Sequence, residues 1–161
     1  MLVVIPKTAV KLMLFLPLLL LTSCNESTAS HLQSLQMKTI TLPSGAKLKT
    51  YIAESDADQK RGLSKIMPED FSDNEAMLFT GSTMHIRQFW MPETHFNLDI
   101  IFMNADYYVL DIHRNIQHFT KREPRRSVPL SKEVYSQHVL EIKADSPYAK
   151  EIQPGMILKL E

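Results

Sequence analysis

FWMPETHFNLDIIF, residues 89–102, decides how the chain is read. Phe89, Trp90 and Met91 form a bulky apolar cluster that contains the single tryptophan of the sequence. Pro92 breaks the run, and the ionisable Glu93 and His95 follow. Leu98, Ile100, Ile101 and Phe102 then make a nearly continuous apolar segment, which predicts a central β-strand. Asp99 sits inside it, and a buried carboxylate is costly without a partner. Strand alternation places Asp99 on the face of Asn97 and Ile101. If that face is core, Asp99 needs a hydrogen-bond donor. Arg61, whose guanidinium can grip a carboxylate with two parallel bonds, is one candidate, and backbone amides near Thr94 are another. Asp99 is then either a frame for the bend 92–97 or a binding or catalytic carboxylate.

Outward from this strand, the pattern is short and β-rich. MKTITL (37–42) and AKLKTYIAE (46–54) flank the turn residues PSG and predict a hairpin. Ser55 and Asp58 have the spacing of a helix-opening pair, so DADQKRGLSKI predicts a short helix that Gly62 interrupts and Pro68 discourages. EAMLFTG (75–81), HIRQFWM (85–91), NLDIIFM (97–103), YYVLDIH (107–113), HVLEIK (138–143) and PGMILKL (154–160) predict further strands. SPYAKEI (146–152) predicts a helical turn opened by Ser146 and Pro147. About seven short strands and one or two short helices, with turns every ~8–12 residues, define a mainly β fold, a small β-sandwich or distorted barrel of jelly-roll type. The absence of a repeating strand–helix rhythm argues against a doubly wound parallel sheet.

The amino terminus supplies an address. Lys7 and Lys11 precede an apolar run, Leu12–Leu21. Ten or so residues cannot span ~30 Å of hydrocarbon as a helix. Residues 1–23 therefore read as a secretory signal peptide. Leu21-Thr22-Ser23-Cys24 resembles the lipobox of bacterial lipoproteins, which implies cleavage before Cys24 and lipid on its sulfur and amino group. An ordinary cleaved signal with an incidental cysteine is the alternative. Cys24 is the only cysteine, and lipidation explains an exported thiol with no partner. Acyl chains would bind a membrane at ~0.8 kcal/mol per buried methylene. Asn25 in place of an aspartate leans towards the outer membrane, facing the periplasm, if the source has two membranes. NESTASHLQSLQ is small and polar, so residues 24–36 read as a flexible tether and 37–161 as one domain.

Among 161 residues, 18 are Lys or Arg and 18 are Asp or Glu. That balance makes no case for nucleic acid. The densest basic run, KREPRR (121–126), is broken by Glu123 and Pro124 and reads as a solvated loop, with a phosphate or lipid-headgroup contact as the sharper option. With four glycines and no G-x-S-x-G, the sequence has neither a phosphate loop nor a serine-hydrolase elbow. The histidines at 85, 95, 113, 118 and 138 lack zinc-ligand spacing, so no metal site and no cofactor is expected. Asp111 beside His113 and His118 is the nearest approach to one.

The order of motifs resembles the family known as domain of unknown function 192. Arg61-Gly62-Leu63, Met77-Leu78-Phe79, Phe89-Trp90-Met91, Thr94, Leu98-Asp99-Ile100 with Phe102, Val139-Leu140-Glu141 and Pro154-Gly155 carry the resemblance. It implies a small β-sandwich or distorted barrel, often exported or lipid-anchored, with no activity attached. The family's pattern has glycine at Ala76, asparagine at Glu93, proline at Asn97 and aspartate at Met156. Glu93 replaces an amide donor by a group that only accepts when ionised.

A cleft beside residues 91–97 is the expected site, made by Arg61, Trp90, Thr94 and Asp99, with Trp90 stacking on a flat ligand. Three readings follow. The chain is a lipid-anchored envelope module that binds a small polar ligand or an envelope protein. Or it is a hydrolase on an envelope carbohydrate or ester, using Asp99 or Glu93 as acid/base. Or it is a structural assembly lipoprotein. The binding module is preferred, and catalysis is left as the lesser alternative.

Overall fold

The structure is a computed structural model. It describes residues 29–121 and 127–161. Residues 1–23, read above as a signal peptide, Cys24 and Arg122–Arg126 of the basic run lie outside the described residues.

Two short helices and nine strands are present among the described residues. Helix α1 (Ala29–Ser34) leads into β1 (Gln36–Thr41) and β2 (Lys47–Ala53), paired antiparallel as the hairpin pattern predicts. Helix α2 (Asp56–Arg61) opens at Ser55, whose Oγ accepts the Asp58 N–H, and ends at Gly62 in a positive-φ conformation. Strands β3 (Glu75–Phe79), β4 (His85–Arg87) and β5 (Leu98–Met103) follow. Then come β6 (Val109–Ile116), β7 (Val134–Ser136), β8 (His138–Lys143) and β9 (Lys159–Leu160).

Seven strands form one sheet in the order β6-β5-β8-β3-β2-β1-β9, and β4 pairs with β7 in a separate ribbon. The sheet curls into a half-barrel, so the mainly β expectation holds, with the weight in one sheet. The curl is closed by the C-terminal segment. Val109 N–H donates to Met156 O, and Gly155 N–H to Val109 O, at the β6 edge. Lys159 and Leu160 then pair with β1 at the other edge. One join is parallel. β2 and β3 run the same way, connected through α2, a single strand–helix–strand step inside an otherwise antiparallel sheet.

The continuous apolar run of 98–103 is central as predicted, between β6 and β8, with every residue buried. Its two faces feed two cores. Leu98, Ile100 and Phe102 join Met77, Phe79, Val139, Phe71 and Phe96 on one side. Ile101 and Met103 join Leu78, Leu140, Ile142, Ile152 and Leu158 on the other.

Three expectations change. The tether assigned to 24–36 overlaps α1, where Leu32 is buried in the first core, so its part from Ala29 onward is ordered chain. The cause is an apolar pair: Leu32 joins the first core and Leu35 packs against it. The predicted strand 85–91 stops at Arg87, because Phe89–Met91 turns across to meet 129–131. The predicted strand 154–160 shortens to its last residues, the rest being the strap across the curl.

Candidate functional site

Alternation along β5 separates Asp99 from its supposed neighbours. Leu98 and Ile100 face the side where α2 and the Trp90 segment pack, and Asp99 faces the opposite side. Its side chain is 4 % exposed and fully engaged. Arg114 Nη1 donates to Asp99 Oδ2 at 2.6 Å, and the Asn115 N–H donates to Oδ1 at 2.8 Å. Arg114 also donates to the carbonyls of Ala149 and Ile152, which ties β5 and β6 to the C-terminal segment. The expected Arg61–Asp99 pair is therefore not formed. Arg114 is the partner because a bulge shifts the β5–β6 register between Leu98 and Ile100 and sets both Arg114 and Asn115 opposite one residue. Asn115 takes φ +53°, a conformation asparagine tolerates, and so aims its N–H at the carboxylate. Asp99 is framework.

Three of the expected residues do share a cleft. The last turn of α2 brings Arg61, and Gly62 turns the chain back over Phe79, whose ring a Cβ would meet at 3.3 Å. Ser64 Oγ donates to Pro92 O at 2.8 Å and holds the Trp90–Thr94 segment against this turn. Thr94 is buried and exchanges both backbone bonds with Phe119 at 3.1 Å. Trp90 stands at the rim, 39 % exposed, rather than at the floor. Met91 is core, as its apolar neighbours suggest. Glu93 lies at the bend with φ +52°. Its carbonyl accepts the Lys65 N–H at 2.7 Å and its carboxylate lies 3.5 Å from Lys65 Nζ, so it braces the loop beside the cleft.

The floor holds a carboxyl group that the sequence reading passed over. Glu141, on β8, shares its face with Val139 and projects into the cavity among Phe79, Met91 and Leu98. It is 4 % exposed, and no described residue donates to its carboxyl or pairs with it. Burial alone pushes that carboxyl up to about 8, so at neutral pH it is mostly protonated and offers an O–H donor. The enclosed space is about 40 Å³, room for one or two waters or the tip of a polar group. The signal was present in HVLEIK, a carboxylate inside an apolar strand with the same alternation as Asp99. What the sequence lacked was the strand order that sends the two acids to opposite faces.

Elsewhere, His113 is pinned as a packing residue. Its Nδ1 accepts the Lys132 N–H at 3.2 Å, its Nε2 lies 3.1 Å from Asp111, and its ring packs on Phe102. Among the described residues no three His, Cys, Asp or Glu side chains converge as metal ligands. No described helix is long and apolar enough to cross a membrane.

The architecture and the motif order together define a family. The sequence profile of DUF192, described as an uncharacterised conserved group, matches residues 39–160, and the chain belongs to it. Two crystal structures are similar. One is of a protein of unknown function from Novosphingobium aromaticivorans, 27 % identical, with a TM-score of 0.59, covering 79 % of this chain and 84 % of that one. The other, from Sinorhizobium meliloti, is provisionally labelled a transcription regulator. It is 23 % identical with a TM-score of 0.59, covers 80 % of this chain and 95 % of that one, and speaks to the fold. No curated protein matches the chain.

Proposed function

We propose that the chain is a lipid-anchored binding module of the bacterial cell envelope, held through Cys24, whose cleft takes a small polar ligand or the polar tip of an envelope protein. Where the source has two membranes, the reading places it on the outer one, facing the periplasm. The observation that carries the binding reading is Glu141, a buried carboxyl in the lining of a cavity with no donor or acceptor partner among the described residues. A ligand group that accepts from it would replace the missing hydrogen bond, and Thr94, Arg61 and the Trp90 indole would complete the contact. Nucleic acid is no part of the reading, since removing residues 1–23 leaves two more acids than bases.

A hydrolase needs a second group beside the acid. Glu141 could serve as a proton donor, but no other carboxylate and no histidine is among the described residues lining the cleft. Binding is the better supported activity.

A thermal-shift screen of the full chain in detergent, against sugars, nucleosides and small amides, tests this, because a ligand of the folded state raises its melting point. The expected hit raises the melting temperature of the wild type and loses that effect in both Glu141→Leu and Trp90→Ala. A hit unaffected by both substitutions would place binding elsewhere and remove the proposal.

A further inference from the structure

A second polar cavity adjoins the Glu141 cleft and shares the Gln59 side chain with its lining. Its volume is about 470 Å³ and its wall includes Glu54, Asp56, Thr80, Gly81, Ser82 and Arg87. Arg87 ends β4 and is 92 % buried, since only 8 % of its surface is exposed. No described residue accepts a hydrogen bond from its guanidinium, and its Nε is buried with no partner. A guanidinium carries five donors, so this is an unusual deficit for a buried group. The surroundings do not neutralise it. No carboxylate lies within ion-pair distance among the described residues. Its neighbour His138 accepts the Gly81 N–H and is pushed towards the neutral form by burial and then by Arg87 itself. The site is also shaped around the guanidinium. A Cβ on Gly81 would lie 2.4 Å from Arg87 Nη2 and 2.4 Å from the Gln137 carbonyl, so glycine is what admits the side chain there.

The acids give the charge pattern. Glu54 and Asp56 are exposed and line the same cavity as Arg87. A multiply charged anion would meet them unfavourably, and a simple cation would meet Arg87. A ligand with both signs of charge close together suits both walls. From Arg87 a further space of about 270 Å³ runs past Phe89 to the exposed Trp90, an apolar wall for a side chain.

We infer that Arg87 anchors a site for small zwitterions of the α-amino-acid type, its fork holding the carboxylate while Glu54 and Asp56 face the ammonium group. The burial of a cation without a partner then follows from function, because the ligand's carboxylate is the missing acceptor.

The test is calorimetry and thermal shift on the full chain in detergent with five probes: glycine, a larger amino acid, acetate, methylammonium and inorganic phosphate. Amino acids are expected to raise the melting temperature more than acetate, and methylammonium and phosphate to do nothing. Arg87→Met should abolish that shift, yet melt without ligand at or above the wild type, because it removes an uncompensated charge. A structural arginine would give the opposite, a lower melting point with probe response retained. Arg87→Lys, which keeps the charge and loses the fork, should bind roughly tenfold more weakly. The surface pair Glu54→Gln with Asp56→Asn should erase the preference for glycine over acetate. No response to amino acids, a stronger response to phosphate or acetate, or an unchanged preference in the surface pair would each overturn the inference. Glu141→Leu should respond to glycine as the wild type does, which separates a response at Arg87 from one at Glu141.

Discussion

Two acids on neighbouring strands have opposite fates. Asp99 accepts from Arg114 and from the bulge amide of Asn115, while Glu141 receives nothing from any described residue. Their substitutions should therefore move stability in different directions. Asp99→Ala strands a guanidinium and a backbone N–H, so it should lower unfolding free energy by ~2–3 kcal/mol in urea titrations. Asp99→Asn keeps an acceptor for Asn115 and should cost less. Glu141 has its effect through pH. Its folded value of about 8 lies above the ordinary carboxylate value of 4.5, so between those limits the folded chain holds a proton that the unfolded chain has released. Stability from this group is full below pH ~4.5 and declines as pH rises to about 8, by up to ~1.4 kcal/mol per unit. Denaturation between pH 5 and 9 should show the slope in the wild type and lack it in Glu141→Gln. The sequence alone made Asp99 conspicuous and offered Arg61 as partner. It could not supply Arg114, because that pairing depends on a one-residue bulge, and a single register step changes which side chain faces the acid.

At the level of elements, patterns of period two and capping residues were good guides where the segment is regular. β2, β3, β5 and β8 fall within a residue or two of the runs read from the sequence, and Ser55 opens α2 as its spacing with Asp58 suggests. Guidance failed where tertiary contact overrode local composition. The stretch 29–36 is polar enough to read as solvated chain, yet Leu32 is 3 % exposed and packs with Leu63, Ala53 and Phe79 in the first core. Leu32→Ala should cost about 2–3 kcal/mol by the same urea titration. A null effect would mean that α1 rests on the core without stabilising it. Glu93 is a smaller case. The bend places it at φ +52°, where asparagine is more comfortable than glutamate. The carboxylate is kept in use by Lys65.

For the molecule as a whole, the class was legible and the closure was not. Many short strands with close turns imply a curved β fold, but the parallel β2–β3 step and the C-terminal strap depend on contacts between residues far apart in sequence. The same strap makes the ends of the sheet one unit. Helix α1 has a consequence at this scale too. If Cys24 carries lipid, the covalent reach from the anchor to Ala29 is at most about 17 Å. The body would then ride within a few water layers of the headgroups. Its guests would have to be solutes small enough to drift along that surface, or neighbours already moored to it.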